Sequence, residues 1–190
     1  MALTEPIRDK NQVHQFIEYY RNLGQNRNYV LATMCIHTAL RISDILLLSC
    51  DDVYDFENNR VRETITITEK KTQKSKIIAI NKNVATALEA YMPDAKPGEP
   101  LILNSKTGKA ISRIQAYRLI RAVAEALDFS QRVSCHSLRK TFGYHAWKDG
   151  VSLAVIMDIY NHSSFAVTRR YIGVSQDDKN AVYLNICFNS

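Results

Sequence analysis

The chain has 190 residues with 25 Lys and Arg against 19 Asp and Glu, a net charge of +6; this length fits one domain with a real core, and the basic balance favours an acidic partner such as nucleic acid. No apolar run nears the roughly 18 residues of a membrane helix, and the opening MALTEPIRDK lacks an apolar signal region, which predicts a cytoplasmic protein with no membrane partner. Cys35, Cys50, Cys135 and Cys187 stand far apart with no C-x-x-C spacing, so they read as reduced packing residues rather than a disulfide frame or zinc site.

In chain order, a first helix is predicted in NQVHQFIEYYRNLG, where Val13, Ile17 and Tyr20 form one stripe and Gly24 supplies a stop. Asn28 can start a second helix through YVLATMCIHTAL, and Ser43 can cap a third, DILLLSC, leaving Thr38 to Arg41 at the bend between them. In VRETITITEKKTQKSKIIAIN, Ile65 and Ile67 alternate with threonines and Ile78 with Ile80, the pattern of a β-hairpin. Lys70, Lys71, Lys74 and Lys76 crowd its tip, either as edge protection or as a finger aimed at a polyanion.

NKNVATALEAYM resumes helical spacing, and AKPGEP reads as a surface loop too short to link domains. Ser112 can cap ISRIQAYRLIRAVAEALDF, with Ile114, Tyr117, Ala124 and Leu127 on one face and Arg113, Arg118 and Arg121 on the other, by default a solvated face. Within CHSLRKTFGYHAW, Ser134 can cap, Leu138, Phe142 and Ala146 recur at helical spacing, and Gly150 sits where the helix stops. His136 and Arg139, three apart, share a face at the helix N-terminus, where free N–H groups and the dipole already favour an anion; phosphate is the obvious candidate, and a plain solvated surface the ordinary alternative. Ser152 caps LAVIMDIY and Ser163 or Ser164 caps the helix within NHSSFAVTRRYIGV, placing His162 at its entrance. The end, AVYLNICFNS, is too apolar for a free tail and is predicted to pack on something. The fold class expected is α+β, mainly α, with a small antiparallel sheet.

Four junctions thus each offer a phosphate-seeking side chain: Arg41, Lys71 with its neighbours, His136 with Arg139, and His162, followed nine residues later by Tyr171. Singly, each has a structural explanation: a cap, a turn residue, a solvated lysine, a packed tyrosine. In this order they resemble the tyrosine recombinase (phage integrase) family. TALRISDILLL is similar to its first arginine box, KTQKSKIIAI to its lysine hairpin, HSLRKTF to its His-x-x-Arg box and NHSSFAVTRRY to its His-to-Tyr segment.

The resemblance implies that Tyr171 attacks a DNA phosphodiester, forming a 3′-phosphotyrosyl bond and freeing a 5′-hydroxyl, with no ATP required. A phenol is mostly protonated at neutral pH, so its proton must leave during attack, and His136 would assist. Arg41 and Arg139 would bind the non-bridging oxygens through planar forks. Lys71 would protonate the leaving oxygen, with Lys70 and Lys74 as lesser candidates; His162 would donate to the phosphate, and Asp44 would buttress the site. Lys70, Lys74, Lys76, Arg113, Arg118, Arg121 and Lys140 are the candidate DNA-contacting cations. No cofactor and no metal are implied, and no carboxylate cluster stands at ligand spacing.

Two departures from the family pattern are local. Tyr160, Asn161 and His162 replace Leu-Gly-His, where Asn can supply the left-handed turn, and Lys140 stands where a second histidine is common. A larger one is length: relatives carry an N-terminal DNA-clamping domain of roughly a hundred residues, for which this chain has no room. Residues 1–190 are therefore expected to be a single catalytic domain, either from a longer integrase or a short recombinase of the kind that inverts fimbrial promoter segments, with weak, salt-sensitive DNA binding. The implied partners are double-stranded DNA, further copies of the chain in a tetramer, and accessory excision or DNA-bending proteins. Val182, Leu184, Ile186 and Phe188 resemble the segment that docks into a neighbouring protomer, against the alternative of folding back in cis. The competing functions are DNA relaxation of the type IB topoisomerase kind and DNA binding without chemistry.

Overall fold

The computed structural model describes residues 4–68 and 75–186. Asp9 starts α1 (Lys10–Asn22) by accepting the Asn11 N–H, and Gly24, at φ 66°, lets the chain turn out of it. Phe16, Ile17 and Tyr20 are its buried stripe, and the Tyr20 hydroxyl donates to the Leu119 carbonyl at 2.9 Å. The second helix, α2 (Asn26–His37), begins earlier than Asn28 suggested: Asn28 lies inside it, buried, donating to Gln25 and accepting from Arg27, so its polar head serves the first turn rather than a cap. Nearly every residue of α2 is buried, as expected of a helix surrounded by others.

The bend after α2 is built by Thr38, whose hydroxyl donates to the Met34 carbonyl and accepts the Leu40 N–H, and by Ala39 in the left-handed region at φ 54°. The short α3 (Ile42–Ile45) then begins directly after Arg41, which occupies its cap position; Ser43 is inside the helix and does not cap it. That two-residue advance is what puts Arg41 at the corner.

The expected hairpin is β3 (Thr64–Thr68) with β4 (Ser75–Ala79), antiparallel, Ile65 facing Ile78 and Ile67 facing Lys76. Ile65 and Ile67 are buried on one face, as the alternation required. Its tip, with Lys70, Lys71 and Lys74, lies outside the described residues. Two other pairs were not anticipated: β1 (Tyr54–Asp55) with β2 (Arg60–Val61), and β5 (Leu103–Asn104) with β6 (Lys109–Ala110), each too short for period-two alternation to register.

Asn81 caps α4 (Lys82–Tyr91) and Ser112 caps α5 (Arg113–Ala126) through a capping box with Gln115. The inner face of α5 is Ala116, Ile120, Val123 and Ala124; Ile114, expected inside, is exposed, because it falls in the helix's open first turn. Ser134 boxes with Ser137 to start α6 (Cys135–Lys148), and Gly150, at φ 89°, follows its end. Ser152 starts α7 (Leu153–Tyr160), Asn161 ends it in the left-handed conformation that its sequence position demanded, and Ser164 starts α8 (Phe165–Ile172). A last helix, α9 (Gln176–Asn185), leaves Val182, Leu184 and Ile186 exposed.

Most buried side chains form one body, including Phe16, Leu31, Met34, Ile45, Ile65, Leu88, Ile120 and Leu138. A second, smaller cluster joins Ala39, Ile156, Tyr160 and Ile172, with Phe142 and Tyr171 packed against it. The N-terminal segment straps the two: the Ile7 N–H donates to Thr141, the His145 Nε2 donates to the Ile7 carbonyl, and Arg8 reaches the Gly173 carbonyl and Asp178. Among the described residues no helix is long and apolar enough to cross a membrane.

Candidate active site

Arg139 is the hub. It sits in the second turn of α6, 4 % exposed, and its Nε donates to the Ala39 carbonyl at 2.6 Å, so the left-handed bend and the helix fix each other. Its Nη1 donates to the Tyr171 hydroxyl at 3.3 Å, and its guanidinium lies 4.5 Å from the Tyr160 ring centre and 5.6 Å from that of Tyr171. The remaining nitrogen, Nη2, is buried and makes no hydrogen bond among the described residues. A buried charged donor without a partner is costly, and an anion in the neighbouring space would supply one.

That space is a cleft of about 420 Å³ lined by Arg41, Ile42, Ser43, Arg113, Cys135, His136 and Arg139. Three helix ends meet there: the N-terminus of α3 brings Arg41, that of α5 brings Arg113, and that of α6 brings His136. Arg41 Nη1 stands 4.0 Å from Asp44 Oδ2, a carboxylate with only 1 % of its side chain exposed, which orients the guanidinium from behind. The His136 pKa is lowered by partial burial and then by Arg139, Lys140, Arg113 and Arg41, so the imidazole is neutral at physiological pH and able to take a proton.

On the other side of Arg139, His162 and Tyr171 meet edge to face with ring centres 5.0 Å apart. Burial first, then Arg139, Arg41 and Lys76, push the His162 pKa down to about 4. Its Nδ1 is 3.1 Å from the Thr168 hydroxyl. The Thr168 hydroxyl donates its own proton to the Ser164 carbonyl at 3.2 Å, so it accepts from the Nδ1–H, and Nε2 can donate to a phosphate once the phosphate's charge brings a proton to the ring. Tyr171, in the last turn of α8, is half-buried among these groups.

The structure thus brings together Arg41, Asp44, His136, Arg139, His162 and Tyr171, from three stretches of chain, 41–44, 136–139 and 162–171. Lys71, Lys70 and Lys74 fall outside the described residues. Lys76 is held inward, its ammonium donating to the Ile159 carbonyl at the end of α7. Lys140, expected among the cations open to DNA, is buried: its ammonium donates to the Thr4 carbonyl and stands 5.5 Å from the Tyr171 ring centre, because its position in α6 faces the N-terminal strap. Arg113 and Arg118 are exposed on α5, while Arg121 is paired with Glu125 at 2.6 Å. The sequence reading missed Ala39, Thr168 and Tyr160 as parts of the site; only Tyr160 carried a signal, as a departure from the family pattern.

Two guanidinium forks, two imidazoles and a phenol, set in the cleft and on the far side of Arg139 from it, make an arrangement suited to phosphoryl transfer. Residues 8–177 match the phage integrase family, and the chain belongs to that family. It is 38% identical over 183 residues to the probable integrase/recombinase YoeC of Bacillus subtilis, covering 96% of this chain and 97% of that protein. A tyrosine recombinase of Pseudothermotoga lettingae is 25% identical over 89% of this chain, but the match spans only 56% of its own length. Among solved structures, the XerH site-specific recombinase bound to palindromic difH substrate shares the fold with a TM-score of 0.77, at 17% identity, over 97% of this chain and 54% of that one.

Proposed function

We propose that this chain is a site-specific recombinase catalytic domain that cuts and rejoins double-stranded DNA through Tyr171. The phenolic oxygen forms a bond to phosphorus while the bond to the 5′-oxygen breaks, leaving a 3′-phosphotyrosyl ester; His136 receives the phenol proton, and Lys71 gives one to the departing oxygen. Arg41 and Arg139 carry the charge that grows on the non-bridging oxygens, and His162 donates to one of them. Asp44 holds Arg41. Attack by the freed 5′-hydroxyl of another strand reverses the chemistry, so bond energy is conserved and integration, excision or inversion follows from which strands are exchanged.

The observation that carries this reading is Arg139, which holds the Tyr171 hydroxyl with one nitrogen and keeps another buried beside the cleft, without a hydrogen bond among the described residues. Family membership favours recombination over relaxation of DNA or binding without chemistry. Arg113 and Arg118 would follow the DNA backbone, and the phosphate contacts of one domain predict modest, salt-sensitive affinity. The exposed Val182, Leu184 and Ile186 of the C-terminal segment support assembly with further copies on DNA, in trans.

The test is a suicide substrate carrying a nick near the cleavage point, so that the cut strand drifts away and the ester persists. Wild type is expected to run as a covalent DNA adduct on a denaturing gel and Tyr171→Phe to give none. A crossover-site substrate that wild type binds but never links would reject the proposal.

A further inference from the structure

We propose that Tyr160 is a positioning residue whose ring, seated in the notch that Gly143 leaves in α6, sets the Arg139 guanidinium and the His162 imidazole against the Tyr171 hydroxyl. Tyr160 is 0 % exposed, yet it is not an ordinary core residue. Its hydroxyl donates to the Arg139 carbonyl at 2.6 Å, tying the end of α7 to α6. Its face lies 4.5 Å from the Arg139 guanidinium carbon, and the His162 ring stacks on it at 5.2 Å and 21°. The Tyr171 ring meets it at 5.3 Å and 60°. One aromatic plane therefore touches three of the groups assigned to the chemistry, in geometries that favour a cation over the face and rings stacked or tilted.

The notch is specific to this side chain. A Cβ built on Gly143 would meet the Tyr160 hydroxyl at 2.5 Å, its Cε2 at 2.6 Å and the Ile172 Cγ2 at 2.7 Å. Only glycine lets α6, the Tyr160 ring and the tyrosine-bearing α8 close on one another. Leucine, the residue of the family pattern at this place, would fill part of the volume but offers neither a π face for the guanidinium nor a plane for the imidazole. The groups facing His162 are Arg139 from α6, Arg41 from the bend, Lys76 from β4, and Thr168 and Tyr171 from α8. With three cations on that list, a ring held away from them by even a small angle changes both its protonation and its reach.

The test compares wild type with Tyr160→Phe, Tyr160→Leu and the double substitution Tyr160→Leu/Gly143→Ala in the full chain. In the double variant the added methyl group takes space that the smaller side chain vacates, while the Ile172 side chain, 2.7 Å from it, must shift; the folded fraction of each variant is therefore measured by denaturant unfolding and its cleavage scaled to that fraction. NMR of labelled histidine reads His162 without any DNA chemistry. In wild type and Tyr160→Phe its ring protons carry the shift of the adjacent aromatic face and it stays neutral down to about pH 4. In both leucine variants that shift is lost and the ring titrates closer to the ordinary histidine range.

Single-turnover cleavage at saturating DNA is expected to fall by about tenfold to a hundredfold in the leucine variants, with DNA affinity held within about twofold, and to recover in Tyr160→Phe to within about threefold of wild type. A His162 signal indifferent to loss of the ring, or cleavage that falls only as far as the folded fraction falls, overturns the proposal. The inference rests on the recombinase reading of the cleft, and the two arms separate their failures. If wild type shows the NMR behaviour but never cleaves, the chemical reading fails and the positioning stands; if it cleaves and the leucine variants cleave alike, the reverse holds.

Discussion

Around Leu31, Met34 and Leu88 the body of the molecule closes with aliphatic side chains at full burial, whereas the buried residues around Tyr160 abut Arg139, His162 and Tyr171. In the body, substituting one apolar group for another of similar volume costs little, because shape and burial are all that the site asks. In the small cluster the Tyr160 ring also contacts Arg139, His162 and Tyr171, so a change that the fold tolerates still displaces chemistry. The N-terminal strap joins the two regions through hydrogen bonds to Thr141 and Gly173.

The largest expected effect belongs to the group shared by the cluster and the cleft. Arg139→Ala should lower single-turnover cleavage by about a thousandfold, and Arg139→Lys should restore little of it, since a point charge cannot bond Ala39, Tyr171 and a phosphate together. Recovery by lysine to near wild-type rate would show that only charge matters there. Next, Leu31→Ala should destabilise the chain by about 2–5 kcal/mol in denaturant unfolding, while Ile172→Val should cost only about 1 kcal/mol. If the comparison holds, the former reduces cleavage only through the unfolded fraction and the latter reduces it in protein that remains folded.

Smaller still, Ser134→Ala removes the capping box of α6 and should cost about 1 kcal/mol, with cleavage slowed as the His136 end frays. Last comes pH. The folded protein holds the His162 pKa near 4, below its unfolded value of about 6.5. The unfolded chain therefore binds more protons between these values, and the melting temperature should rise with pH from about 4 to 6.5, with the His162 contribution fully present above that range. His162→Gln should flatten the rise. DNA phosphate, offsetting Arg139, Arg41 and Lys76, should raise that pKa and make binding take up protons in the same window, which calorimetry in buffers of different ionisation heat would detect.

How much was legible follows the same division. The amphipathic helices, the β3–β4 hairpin, Gly24 and Gly150 as stops, and Asn161 as a left-handed turn were all readable, because local spacing and turn chemistry decide them. Helix starts were less so: Asn28 and Ser43 look like caps but lie inside helices, where Gln25 and Arg41 hold the junction positions under tertiary packing. The side chains assigned to the chemistry were legible only through their order along the chain. Nothing in the sequence says that Ala39 turns left-handed to offer its carbonyl to Arg139, or that Lys140 faces inward, because both depend on what a distant segment brings.

The most direct measurement maps the covalent bond. Wild type trapped on the suicide substrate is digested with protease, and the DNA-linked peptide is identified by mass spectrometry. The account predicts one modified peptide, with the nucleotide on Tyr171 through a 3′-phosphate. A link to any other residue, or at a 5′-phosphate, would contradict it.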